Sequence, residues 1–456
     1  MITTYSCERY AKNNLDTLKE LSSTDNLSED EIEGSNILRI DENEEVKTNS
    51  IKLQSCEFSE LSRKLTTKLN KADKKSNGIF FTPPETIIEN IELLEPFMHN
   101  ITTVLEPSCG SCEYILRLKN IKHNLNITGM ELNKTIFESI QQYESDDIKL
   151  LNKNYLNHKF DSKFDLIIGN PPYFVMKKSE VDESYYNYFD GRPNIFILFI
   201  INSLKLLNDE GILSFVLPKS FLNCLYYDKT RKHIISNYTI LSIVECNDSY
   251  IETKQDTIIF VIQNIKPINN SRYTLNISEY TILGTMNNIR KLRKLYSNSK
   301  TLFDLDFNVS VGNIVWNQCK DDLTDIDTKT HLIYSSDITN NKLRIKQYSN
   351  KEKKNYIKRE GNNEPLLVIN RGYGVGSYHF NYCILNENDN INYLVENHLI
   401  CIKYVHSISN AMLINKYKTI IESFKNNKTR EFISIYFGNN AMNTIELCKI
   451  LPIYDI

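Results

Sequence analysis

The stretch that most constrains the fold is Phe164-Asp165-Leu166-Ile167-Ile168-Gly169-Asn170-Pro171-Pro172-Tyr173. Leu166 to Ile168 is a short apolar run with strand character, and it leads straight into a turn built on two consecutive prolines. Each proline fixes φ and removes a backbone donor. The chain must therefore leave its sheet here, with carbonyls free to accept from something other than a ladder partner. Asn170 adds an amide oxygen and Tyr173 a flat ring, a combination suited to a planar group that carries an NH2. A strand that merely ends in a proline turn is the plainer alternative. What lies upstream, at matching spacing, weighs against it.

Gly78-Ile79-Phe80-Phe81-Thr82-Pro83-Pro84-Glu85 precedes a helix predicted to run to about Phe97, with Thr82 as its cap and Glu85 completing a capping box. Val104 to Glu106 reads as a strand, followed by a tight loop of small residues through Cys112 and a helix from Glu113 to Asn120. A second strand, Ile127 to Glu131, ends in an acid. The interval from Gly110 to Glu131 matches dinucleotide folds, in which a glycine turn admits the cofactor and an acid about 20 residues on binds ribose hydroxyls. One glycine is a weak fingerprint by itself. Cys109 and Cys112 spell CxxC, but no second such pair or neighbouring His pair completes a zinc site, and no metal is expected.

A third strand, Ile148 to Leu151, leads to Asn154-Tyr155, and the fourth carries the Asn-Pro-Pro-Tyr turn. Then come a helix from Pro193 to Leu207, a fifth strand from Gly211 to Leu217, and a helix from Phe221 to Ser236 with Tyr226 and Tyr227 near its start. Leu241 to Cys246 and Thr257 to Gln263 are the last two strands. The alternation predicts an α/β fold with a doubly wound, mostly parallel seven-stranded sheet.

The 456 residues divide, on this pattern, into a polar and disordered extension (1–55), the sheet domain (56–285) and a strand-rich second domain (286–456). The longest apolar segment, Ile195 to Ile201, is far short of the ~18–20 residues of a membrane span. No signal-peptide pattern opens the chain, so no membrane association is expected, and the protein is placed in the cytoplasm or the interior of a host cell. Ten scattered cysteines fit a reducing compartment. The formal charge of −3 argues against indiscriminate nucleic-acid binding but not against a local basic face. Two stretches are candidates for such a face, each with a plain solvated basic surface as the alternative. One is a helix from Phe58 to about Lys74, with Leu61, Leu65 and Leu69 on one side and lysines and arginines around it. The other is Asn341 to Glu360, with eight basic side chains against Glu352 and Glu360. Beyond it, Leu366 to Ile369 is a buried strand opening into a glycine-aromatic loop. Basic and aromatic residues interleaved in this way fit nucleic-acid contact, with Lys354, Arg371 and Tyr373 as candidates. Glu252-Thr253-Lys254, preceded by Asp248, has nuclease-like spacing but reads as a charged turn.

With Gly-Ile-Phe-Phe-Thr-Pro, Leu-Glu-Pro-Ser-Cys-Gly-Ser, an acid-ended strand and Asn-Pro-Pro-Tyr in that order, the chain resembles the gamma class of S-adenosylmethionine-dependent DNA adenine-N6 methyltransferases of restriction-modification systems. The likeness runs from about Lys64 to Gln263 and, more loosely, through a C-terminal α+β target-recognition domain. It implies a Rossmann-like class I methyltransferase sheet, S-adenosylmethionine as cofactor, double-stranded DNA as substrate, a possible cognate restriction endonuclease as partner, and a monomer. It puts Phe81, Thr82 and Pro83 at the methionine end of the cofactor, Glu106, Ser108 and Gly110 beneath it, and Glu131 on the ribose. Asn154 stands where the family usually has an Asp near the cofactor adenine, followed by the aromatic Tyr155, and Cys112 stands where it commonly has a glycine. The catalytic turn would be Asn170, Pro171, Pro172 and Tyr173, with Asn170 also beside the cofactor. A flipped adenine would stack on Tyr173 and on Tyr227, with Tyr226 as the alternative wall. A methyltransferase acting on RNA or a protein glutamine, and a non-catalytic DNA-binding specificity protein, are the competing functions.

Overall fold

A computed structural model describes residues 57–247, 250–253, 255–372, 378–388, 390–437 and 442–454. The proposed extension 1–55 lies outside them, as does Tyr373. Strands β1 (Thr103–Glu106), β2 (Asn126–Met130), β3 (Ile148–Leu151), β4 (Phe164–Gly169), β5 (Leu207–Pro218), β6 (Thr239–Glu245) and β7 (Thr257–Gln263) form one sheet in the order β3-β2-β1-β4-β5-β7-β6. The first five pair in parallel, and β7 runs antiparallel to both β5 and β6. This is the seven-stranded, doubly wound arrangement that the alternation predicts. β5 begins earlier than predicted, at Leu207, and its register on β4 shifts between Phe164 and Leu166.

Each face of the sheet is covered. On one, Ile87, Ile91, Tyr114, Ile115 and Leu118, from helices Pro84–Glu92 and Glu113–Ile121, pack on Val104, Ile127, Leu166 and Ile168. On the other, Phe196, Ile197 and Ile200 of helix Ile195–Lys205 meet Leu105, Ile167, Leu213 and Phe260. Strands buried on both faces read as unbroken apolar runs, which is why they were legible.

The strand order reverses between β1 and β4. Loops leaving the carboxyl ends of two such strands diverge and open a crevice, where ligands of doubly wound sheets bind. Val104 and Leu105 pair with Leu166 and Ile167, so the loop after Glu106 and the turn after Gly169 emerge side by side in that crevice.

The second apolar core gathers Ile277 and Ile282 from a hairpin, Ile289 and Leu292 from helix Met286–Tyr296, and Leu367, Ile369, Ile400 and Ile402. The latter four belong to an antiparallel four-stranded sheet ordered Phe307–Val311, Leu399–Tyr404, Leu366–Asn370, Tyr382–Leu385. Helices Asn410–Lys425 and Asn427–Tyr436 pack on it through Tyr417, Ile420 and Phe432.

Ahead of the main sheet, the single predicted helix is two. Glu60–Lys68 is capped by Ser59, the chain breaks at Leu69, and Lys71–Asn77 restarts on an Asn70 cap and ends at Gly78 with φ 64°. The break turns Lys74 inward. It is 3% exposed, and its Nζ donates to Thr66 O (2.5 Å) and pairs with Glu252 Oε1 (2.7 Å). Thr82 does not cap the following helix, which starts one residue later with Pro83 as its N-cap and no side-chain cap bond. The proline pair fixes that start. Among the described residues no helix is long and apolar enough to cross a membrane.

Candidate functional site

Asn170 sits where the diverging loops meet. Its Nδ2 donates to Thr82 Oγ1 (3.1 Å) and to Tyr250 Oη (3.2 Å), and its backbone carbonyl accepts from Ser108 Oγ (3.2 Å). Its Oδ1 lies 2.5 Å from the Tyr173 hydroxyl, which is also 2.6 Å from the carbonyl of Val216 on β5. Thr82, released from capping duty, thus serves the clamp instead. Gly78 lets the preceding helix pass against the turn, for a Cβ there would stand 2.7 Å from Tyr173 N.

The β1 side of the crevice is small-residue backbone over two buried acids. Gly110 has φ +50°, and a Cβ built on it would lie 3.6 Å from the Phe81 ring, so Phe81 and the loop face one another across a narrow gap. Cys112 adopts φ 64°, the left-handed conformation glycine favours, which accounts for a glycine being common there in the resembled family. Its side chain and that of Cys109 are packed in the apolar core. Glu131 accepts from Gly110 N on Oε2 (3.1 Å) and from Asn133 N on Oε1 (2.7 Å). Burial outweighs these bonds and pushes its carboxyl up to about 7. Glu106 lies beneath Gly169, where burial holds its carboxyl well above the carboxylate range, and its Oε2 has no hydrogen-bond partner among the described residues. A buried, unpaired carboxylate oxygen beside a glycine loop fits a ligand that brings a donor or a cation. The residues fit S-adenosylmethionine: its ammonium could meet Glu106, and its ribose hydroxyls could use the remaining lone pairs of Glu131. Pro83 lies beside Thr82 on the same rim.

Other predicted site residues lie in different surroundings. Asn154 is exposed and caps a short turn by accepting from Leu156 N (3.0 Å), while Tyr155 points into the core, where its hydroxyl meets Ser203 (2.8 Å) and its ring packs on Phe199. The turn places the two side chains on opposite sides of the backbone. Tyr227, the predicted stacking wall, is 8% exposed and packs edge-on against Phe196, whereas Tyr226 is 57% exposed. The helix begins only at Asp228, so the pair lies on a preceding tight turn that faces them apart.

Tyr226 lines a cleft of about 720 Å³ between the carboxyl edge of the sheet and the second core, together with Lys219, Arg371, Asn443 and Glu446. Burial pushes the Glu446 carboxyl up to about 7. Lys354 is less available than its sequence context implies, because it pairs with Asp325 (2.6 Å) and Arg359 pairs with Asp322 (2.6 Å). Acids outside the 341–360 window thus neutralise part of it.

Two contributors escaped the sequence reading. Tyr250, from the β6–β7 loop, reaches Asn170 across 80 residues of chain, and no local pattern marks it. Leu132 directly follows Glu131 and is 65% exposed, an apolar side chain bare at the rim of the crevice; its unusual position after an acid-ended strand was the only signal.

Residues 35–251 match the Eco57I restriction-modification methylase family. Over 410 residues the chain is 27% identical to the type II methyltransferase M.CvrRI of Paramecium bursaria Chlorella virus XZ-6E, covering 87% of this chain and 99% of that protein. It is 31% identical over 172 residues to the modification methylase CviBIII of Paramecium bursaria Chlorella virus NC1A, covering 37% of this chain and 45% of the relative. Among solved structures it is similar to the methyltransferase subunit of a type I restriction-modification system from Streptococcus thermophilus, with 17% identity, a TM-score of 0.36, and 48% and 53% of the two chains covered.

Proposed function

We propose that the chain is a type II restriction-modification methylase and that it methylates N6 of an adenine in duplex DNA, at one short site, with S-adenosylmethionine as donor. The observation that carries this reading is the position of Asn170, whose backbone touches the cofactor loop at Ser108 while its amide oxygen faces Tyr173.

An exocyclic adenine nitrogen is a poor nucleophile because its lone pair is delocalised into the ring. Hydrogen bonds from its NH2 to Asn170 Oδ1 and the Pro171 carbonyl favour a pyramidal nitrogen with that lone pair directed at the crevice. Pro172, which lacks an N–H and has a fixed φ, holds the turn rigid. Bound S-adenosylmethionine supplies an electrophilic sulfonium methyl, and no covalent bond to the protein is needed. Phe81, Ser108 and Gly110 line the groove that would orient it, and the bare Leu132 would cover an apolar ring face.

The amino nitrogen is out of reach inside a duplex, so the base must leave the stack, at a cost of a few kcal/mol. Tyr173 and the exposed Tyr226 are the rings available to receive it, stacking being worth roughly 1–3 kcal/mol per base. Arg371, on the cleft, suits the DNA backbone. Protection from a cognate restriction endonuclease is the biological role that follows.

The test is methyl transfer from labelled S-adenosylmethionine to unmethylated duplex DNA, with Asn170→Ala as control. Label should map to N6-methyladenine at one motif and vanish in the variant. Label on cytosine, on RNA or on a protein amide would overturn the substrate.

A further inference from the structure

The Asn170 amide is ringed by three hydroxyls from three separate segments: Thr82 before the sheet, Tyr173 within the turn, and Tyr250 from the β6–β7 loop. Both Nδ2 hydrogens have acceptors, Thr82 Oγ1 at 3.1 Å and Tyr250 Oη at 3.2 Å. Tyr250 is 6% exposed, and its hydroxyl also meets Tyr173 and Thr257. An uncharged hydroxyl in this position can accept from the amide. Tyr173 in turn reaches Asn170 Oδ1 or Val216 O.

We infer that Tyr250 is a positioning residue for the reaction proposed above, whose hydroxyl, by accepting an Asn170 Nδ2 hydrogen, keeps the amide turned with Oδ1 toward the target nitrogen. A reversed amide would present NH2 to NH2, two donors face to face, and could not hold the base. When the target amino group takes Oδ1, the Tyr173 hydrogen turns to Val216 O and loses nothing, while the Tyr250 bond stays in place. The inference rests on the reading of Asn170 as the acceptor for the base.

The experiment compares Tyr250→Phe, which keeps the ring and its packing, with Thr257→Val, which removes only the outer partner of the same hydroxyl. Steady-state transfer to duplex DNA, cofactor affinity by calorimetry and the unfolding midpoint are measured for each. Tyr250→Phe should lower kcat at least tenfold, with KM for DNA and cofactor affinity within twofold, whereas Thr257→Val should leave kcat within twofold. A Tyr250→Phe enzyme with unchanged kcat, or a Thr257→Val enzyme impaired as much, overturns the inference. Asn170→Ala separates the two levels: if it retains transfer, the acceptor reading falls and this inference with it, whereas an inactive Asn170→Ala beside a fully active Tyr250→Phe removes this inference alone.

Discussion

The Tyr173 hydroxyl stands 2.5 Å from Asn170 Oδ1 and 2.6 Å from Val216 O, two acceptors for one hydrogen. The side chain therefore has two satisfied states, one that closes the amide oxygen and one that exposes it. Tyr173→Phe removes the choice. Stability should fall by about 1 kcal/mol for the lost hydrogen bond, but methyl transfer should persist within tenfold because Oδ1 is left open and the ring remains. Tyr173→Ala should weaken capture of the base by a further ~1–3 kcal/mol of lost stacking. Abolished transfer in Tyr173→Phe would show that the hydroxyl, and not the ring, does the chemistry; rapid-quench kinetics decide it.

Tyr226 and Tyr227 are adjacent in sequence and differ in exposure, so their substitutions should fail in different ways. Tyr227→Ala, which empties a buried site against Phe196, should cost about 3–5 kcal/mol of stability. Tyr226→Ala should leave the denaturation midpoint within a degree or two and raise KM for DNA. Identical effects on denaturation would refute the assignment.

Glu131 carries a pH dependence whose sign is fixed by burial. Its carboxyl is lifted from 4.5 to about 7 in the fold, so the unfolded chain ionises first as pH rises. The stability associated with its neutral form is fully present below pH 4.5, declines as pH climbs, and is gone above 7, an effect of roughly 3 kcal/mol. The ligand-free protein should therefore melt at lower temperature at pH 8 than at pH 5. Glu131→Gln should flatten that slope and weaken cofactor binding. A slope unchanged in Glu131→Gln would assign the dependence to Glu106 or Glu446, which burial shifts in the same direction.

Gly78→Ala introduces both a left-handed φ of 64° and a Cβ 2.7 Å from the Tyr173 backbone nitrogen. Backbone on one side and a helix end on the other leave little room to yield, so a loss of about 1–3 kcal/mol is expected. Because the turn itself is pushed, kcat should fall more than stability does. A variant that melts earlier yet turns over normally would show that the strain relaxes away from the turn.

The sheet was largely readable from sequence because its strands are continuous apolar runs separated by turn residues; Thr257–Gln263 matches its predicted limits. The short motifs singled out in the sequence, at Phe81-Thr82, Ser108-Gly110 and Asn170 to Tyr173, stand together in the structure. Legibility failed where the deciding partner is remote. Lys74 looked like part of a solvated basic face until Glu252, 178 residues on, supplied its counter-ion, and Lys354 looked free until Asp325 did the same. Tyr250 sits in a loop without periodicity. At Tyr226 and Tyr227 the aromatic pair was evident, but the helix starts at Asp228 and not at Phe221, and the tight turn that precedes it decides which ring faces out.

The Lys74–Glu252 pair ties the segment before the first strand to the loop between the last two. The seven strands with their covering helices begin only at residue 84, so a chain shortened to that point keeps every strand pairing. It would lose Gly78, Phe81 and Thr82 from one rim, and on the other the Tyr250 loop would lose the anchor that holds it at the crevice.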